Sequence, residues 1–129
     1  MNNYLLLLIL MISSTIYSQE ILVKEKVFNN SEVDEKPTFK GGMEKFYKYI
    51  AKNFKVPEEE GLKGKIIVEF IIETDGSISN FTVIQDIGYG SAEEITLSFK
   101  KCPNWIPGKK GGQLVRTLYR LPITIMSAI

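Results

Sequence analysis

Few side chains in this sequence can carry chemistry. It has no histidine and one cysteine, Cys102, so no Ser-His-Asp or Cys-His couple can form, no imidazole can bind a metal, and no internal disulfide can close. Asp75 and Asp86 bracket a short apolar stretch and are the nearest approach to paired carboxylates. Their settings explain them otherwise, Asp75 by a turn and Asp86 by the loop that follows. Gly88-Tyr89-Gly90-Ser91 does not satisfy the G-x-S-x-G elbow, has no third glycine for a dinucleotide fingerprint, and no Gly-Lys-Ser/Thr ending for a phosphate loop. Neither an enzyme nor a cofactor or metal site is expected. Cys102, without a flanking histidine or second cysteine, reads as a small buried hydrophobe. Trp105, between Pro103 and Pro107, reads as a lid on the core rather than a ligand platform. Lys109-Lys110-Gly111-Gly112 reads as a solvated loop rather than a nucleic-acid patch.

What remains is charge and main chain. The 129 residues hold 16 Lys+Arg and 15 Asp+Glu, a net +1, in proportions ordinary for one globular domain. The two signs are segregated. Residues 1–94 carry 10 basic and 15 acidic side chains, a net −5, and residues 95–129 carry +6 with no acidic residue at all.

The elements that must position these groups follow from periodicity. Leu5 to Ile12 is an unbroken apolar run followed by Ser13, Ser14 and Thr15. It reads as an export signal over residues 1–18, cut after Ser18, and is too short for the roughly 20 apolar residues of a membrane span. The alternative is a retained anchor. Residues 19–36 are charged and weakly periodic and read as a linker, partly extended along the domain, before a domain over 37–126. Met43, Phe46, Tyr47, Ile50, Ala51 and Phe54 fall on one helix face, with Lys45, Lys48 and Lys52 opposite and Pro57 as the stop. Ile66, Val68, Phe70 and Ile72 alternate as a strand. Thr74-Asp75-Gly76-Ser77 predicts a type I′ hairpin turn, and the return strand, Ile78 to Gln85, needs a bulge near Asn80 to reconcile its parity. Ser91-Ala92-Glu93-Glu94 has the form of a capping box opening a second helix that ends before Pro103. From Leu114 to Ile125, Val115, Thr117, Tyr119, Leu121, Ile123 and Ile125 share one face of a long last strand.

This order is α+β, with a three-stranded antiparallel or mixed sheet in the order 2-1-3 and two helices packed on one face. Pro122 places the last strand at an edge, where its missing N–H breaks no internal ladder.

The segment Pro103-Asn104-Trp105-Ile106-Pro107-Gly108, continuing through Gly111-Gly112-Gln113-Leu114-Val115 and Leu121-Pro122-Ile123, resembles the P-x-W-x-P-G…G-x-x-V…P-I pattern of the TonB C-terminal domain family. Gly64-Lys65-Ile66-Ile67-Val68-Glu69-Phe70 resembles its G-x-V-x-V-x-F strand, with Asp75-Gly76 at its hairpin turn. Val56-Pro57 stands where the family has Tyr-Pro. Pro37-Thr38-Phe39-Lys40-Gly41-Gly42 resembles the opening of short members from Bacteroidetes-type bacteria. The resemblance implies a periplasmic module in TonB-dependent transport that adds a peptide strand, the TonB box of an outer-membrane receptor, to its sheet edge. ExbB and ExbD would be partners only if the N-terminus is an uncleaved anchor, and peptidoglycan is a further candidate. The alternative is a stand-alone periplasmic adaptor or inhibitor that binds another protein or cell-wall material without transducing energy. If Pro122 faces outward, strand parity makes Leu114, Arg116, Leu118 and Arg120 the peptide-binding positions. Arg116 and Arg120, with Lys109 and Lys110 beside them, would then steer an acidic guest. An exposed edge can also pair with itself, leaving a homodimer open.

Overall fold

The computed structural model describes residues 25–129. The expected export signal and the first residues of the expected linker lie outside them. In chain order the elements are β1 (Val27–Asn29), α1 (Met43–Asn53), β2 (Lys63–Ile72), β3 (Ile78–Gln85), α2 (Ser91–Lys100), β4 (Gly108–Lys110) and β5 (Gln113–Met126). One five-stranded sheet runs β1-β5-β2-β3, with β4 paired to β5 off that path. This corrects the three-stranded expectation. The long strands β3, β2 and β5 pair antiparallel, while β1 lies parallel to β5 and makes the sheet mixed. Three-residue strands show no alternation to read, which is why β1 and β4 escaped periodicity.

The centre forms because β2 and β5 both alternate. Ile66, Val68, Phe70 and Ile72 from β2 meet Leu121, Ile123 and Ile125 from β5 in one core. Their unbroken register runs from Lys63 opposite Met126 to Ile72 opposite Thr117. Both helices bury apolar side chains in that core, Phe46 and Ile50 from α1 and Ile95 and Phe99 from α2. Phe39 and Trp105 close it: the Trp105 ring lies 5.1 Å from Phe46 and 5.6 Å from Phe39. The two outer segments that bring these rings in are themselves joined, Thr38 N donating to Ile106 O and Ile106 N to Thr38 O. On α1 the buried stripe is narrower than its sequence spacing predicts. Tyr47 and Ala51 are exposed, whereas Tyr49 turns inward and its hydroxyl donates to Ser98 O on α2 at 2.8 Å.

Two local expectations are overturned. The β2–β3 connection is a three-residue loop rather than a type I′ turn: Gly76 N donates to Glu73 O, Glu73 N to Ser77 O, and only Gly76 has positive φ, at 86°. Asp75 instead accepts from the Ser77 amide and hydroxyl, a local bond that stabilises the turn without a left-handed Asp. The capping box does not form either. Gly90, in the left-handed region, precedes the helix, so Ser91 is already helical, and its hydroxyl accepts from Ile87 N while Glu94 reaches Lys55 N. Asn80 has φ 49° at a register shift between β2 and β3, the expected bulge, and a second shift follows near Ile84.

The expected solvated loop at Lys109-Lys110-Gly111-Gly112 is also corrected. Lys109 and Lys110 belong to β4, and Gly111 and Gly112, with φ 58° and 77°, make the two-residue turn into β5. Both positions demand left-handed backbone, which is the type I′ requirement. Cys102 is half-buried against the core, and burial pushes its thiol above the ordinary range, away from reactivity.

Candidate functional site

The side of β5 facing away from β2 is the edge that sequence parity singled out. Leu118 O accepts from Asn30 N at 3.1 Å, so the even-numbered residues of β5 turn their main-chain groups to that side. The edge is not vacant along its whole length. Val27, Phe28 and Asn29 of β1 lie in parallel opposite Arg116, Thr117 and Leu118, and these residues fall inside the segment expected to be a linker. Of the expected peptide-binding positions, Arg116 and Leu118 therefore already have a strand beside them. β1 extends neither to Leu114, whose side chain is exposed at the β4–β5 hairpin, nor to Arg120.

The cationic side chains are also engaged. Arg116 meets Glu73, the residue directly after β2, through two nitrogens, at 2.7 and 3.0 Å, and donates to Glu25 O at 3.0 Å. Arg116, more than the Ser79 hydroxyl, holds the Glu73 carboxyl below its usual range, against the opposing effect of burial. Arg120 donates twice to Glu69 Oε2, at 2.9 and 3.0 Å. Lys110 Nζ donates to Glu32 O at 2.8 Å, and Lys109 Nζ lies 3.9 Å from Glu35. None of these four cations stands alone: among the described residues each has a partner within the chain. Glu69 lies on β2 and Glu73 directly follows it, and the other partners come from residues 25–35.

The main chain of β4 adds to this hold. Asp34 N and Glu35 N both donate to Lys109 O, Lys109 N donates to Glu35 O, and Gly111 N donates to the Asp34 carboxylate. Phe28 is the apolar anchor, buried with Val33 and Val115 in a cluster separate from the main core. The ammonium groups of Lys26 and Lys110 sit 4.7 and 5.7 Å from its ring centroid, two cation–π contacts.

Sequence reasoning missed Phe28, Glu69, Glu73 and the acidic residues 25–35 as parts of this edge. A signal existed for two of them. Glu69 on β2 and Glu73 just past its end are spaced four apart, as are Arg116 and Arg120 on β5. In antiparallel register the spacings match, giving cross-strand pairs.

Past Leu118 the edge opens. Glu32 N donates to Asn29 O, turning the chain away from the sheet. A groove of about 430 Å³ is left between that turn and the strand, lined by residues including Asn30, Ser31, Lys36, Glu69 and Arg120. The Oδ1 of Asn30 is buried there with no hydrogen-bond partner among the described residues. Beyond it, on the side facing away from β2, no strand among the described residues pairs with Arg120 to Met126, and Pro122 lacks one donor. The other end of the sheet, β3, is interrupted by its two register shifts, the kind of irregularity that discourages strand addition.

No group of three or more metal-ligating side chains occurs among the described residues, and none of their helices is long and apolar enough to cross a membrane. No curated protein and no solved structure matches the chain. The family model for the Gram-negative bacterial TonB protein C-terminal matches residues 55–124, from just after α1 almost to the end of β5. That stretch carries the β2–β3 hairpin, α2 and the edge strand, and it covers more than half of the sequence: the chain belongs to the TonB C-terminal family.

Proposed function

We propose that this protein is a periplasmic docking module of TonB-dependent transport, and that it binds the TonB-box segment of an outer-membrane receptor by strand addition to the outer edge of β5. A protein-binding role in transport fits the family, and an edge that binds through main-chain groups needs no catalytic side chain. The observation that carries the reading is β1 itself. A strand lies in register along Arg116 to Leu118, so this edge has the straightness and the outward main-chain groups that an added strand requires. Arg120, Thr124 and Met126 continue the same outward row, and Leu114 precedes it.

The test is a titration of the full chain with a synthetic TonB-box peptide, followed by amide chemical shifts. Perturbations concentrated on even-numbered β5 amides, Arg116 to Met126, support the reading. Perturbations confined to β3, or none at millimolar peptide, overturn it. Export to the periplasm is part of the same proposal, and a mature N-terminus at Gln19, read by mass spectrometry, supports it.

A further inference from the structure

We infer that residues 25–36 are a built-in occupant of the docking edge, and that the partner they stand in for is an extended segment running parallel to β5, with a large apolar residue where Phe28 sits and acidic residues around it. This rests on the docking reading and names its regulation and the chemistry of its ligand. Every feature expected of a guest is met by this segment. It pairs with the edge main chain, Asn30 N to Leu118 O. Its one buried aromatic side chain, Phe28, fills the space beside Val115. Its acidic residues and carbonyls meet the cations of the basic half: Glu25 O on Arg116, Glu32 O on Lys110, and the Glu35 carboxylate near Lys109.

The occupant is also separable. β1 has three residues, and the cluster of Phe28, Val33 and Val115 shares no member with the main core formed by β2, β5 and the two helices. Lifting β1 exposes that small cluster and leaves the Ile66–Phe70–Leu121 core in place, so edge opening is a local event rather than unfolding. β1 and α1 both precede the family-matched residues 55–124. The matched edge strand and its occupant are thus distinct parts of the chain. A partner that offers the same chemistry must displace β1 to use Arg116 and Leu118, and its apparent affinity is reduced by the fraction of time the edge is open.

The experiment uses the full chain and two labelled peptides, one with the sequence of residues 25–36 and one TonB-box peptide. Phe28→Pro removes both the aromatic anchor and the N–H that parity points at the Arg116 carbonyl, and circular dichroism checks that the sheet persists. The opened chain is expected to bind both peptides about tenfold more tightly than the wild type, the ratio for an edge open about one time in ten. A 25–36 peptide carrying Phe28→Ala should lose that gain. In the wild type, saturating TonB-box peptide should release the Asn30 amide to fast hydrogen exchange. Equal affinities for wild type and variant, or an Asn30 amide still protected in the saturated complex, overturn the inference and leave strand addition standing on the open half of β5. Failure of the opened chain to bind either peptide overturns strand addition itself.

Discussion

Glu73 shows how one side chain of the sheet reaches the edge. It grips Arg116 with both carboxylate oxygens, and Arg116 in turn donates to Glu25 O. The pair is about three-quarters shielded on the Glu73 side, so it should contribute more than a fully exposed bridge but well short of a buried one. Its pH dependence has a definite sign. Arg116 depresses the folded pKa of Glu73 below the ordinary 4.5, so the stabilisation is fully present above that value and is lost as pH falls through the lower folded one. Glu73→Gln should cost about 1 kcal/mol at pH 7, and its urea midpoint should approach that of the wild type at low pH. A constant difference between the two chains across that range would count against the ion pair as the cause. Gly76 is a second position where one residue decides. Its φ is 86°, a Cβ there would fall on the Trp105 carbonyl oxygen, and Trp105 N donates to Gly76 O at 2.8 Å. Gly76→Ala should therefore cost about 3 kcal/mol, combining left-handed strain with displacement of the Trp105 segment. A thermal midpoint lowered by about 10 °C or more would register it.

At the scale of elements, what was legible in the sequence is what has a face. β2 and β5 alternate over eight or more positions and α1 repeats its apolar residues over three turns. Each shows the contrast between core and solvent that periodicity detects. β1 and β4 do not, and their evidence lay elsewhere. For β4 it was the Gly111-Gly112 pair, which admits the left-handed backbone of a two-residue hairpin at both positions. For β1 the one hint was charge, an acidic surplus before residue 95 and a basic surplus after it, which marks no strand. The capping box failed for a different reason. Gly90 takes the left-handed conformation and starts the helix one residue early, so Ser91 is placed inside the first turn. The hairpin can be tested as an element. Gly112→Ala forces a Cβ into φ 77° and should cost about 1 kcal/mol, whereas Gly111→Asn should be nearly neutral because Asn tolerates that region. Because Lys109 of β4 exchanges main-chain hydrogen bonds with Asp34 and Glu35, amide exchange at Glu35 should quicken in the Ala variant and not in the Asn variant. Unchanged protection in both would mean that β4 does not hold the segment.

For the molecule as a whole, the near-zero net charge conceals an internal match. The candidate positions Arg116, Arg120, Lys109 and Lys110 were legible because they cluster after the last acidic residue. Their partners were not, because a charge count does not say that the acidic front folds back on the basic rear. Once it does, the electrostatics change meaning. The chain's own acidic segment meets these cations, so salt acts on the contacts that hold that segment against β5. Screening shortens from about 10 Å at 0.1 M to about 3 Å at 1 M. The exposed Lys109–Glu35 contact at 3.9 Å and the other contacts around residues 25–36 should weaken, while the apolar core should not. Hydrogen exchange reads the two separately. Raising salt from about 0.1 M to about 1 M should accelerate exchange at the Asn30 amide, which donates to Leu118 O, and leave the amide of Phe70, in the middle of β2, unaffected. Equal acceleration at both would mean that salt loosens the entire fold. No acceleration at Asn30 would mean that Phe28 packing alone, not charge, holds the edge closed. With the expected split, the segregation of charge along the chain becomes the feature that sets how often the outer edge of β5 is open.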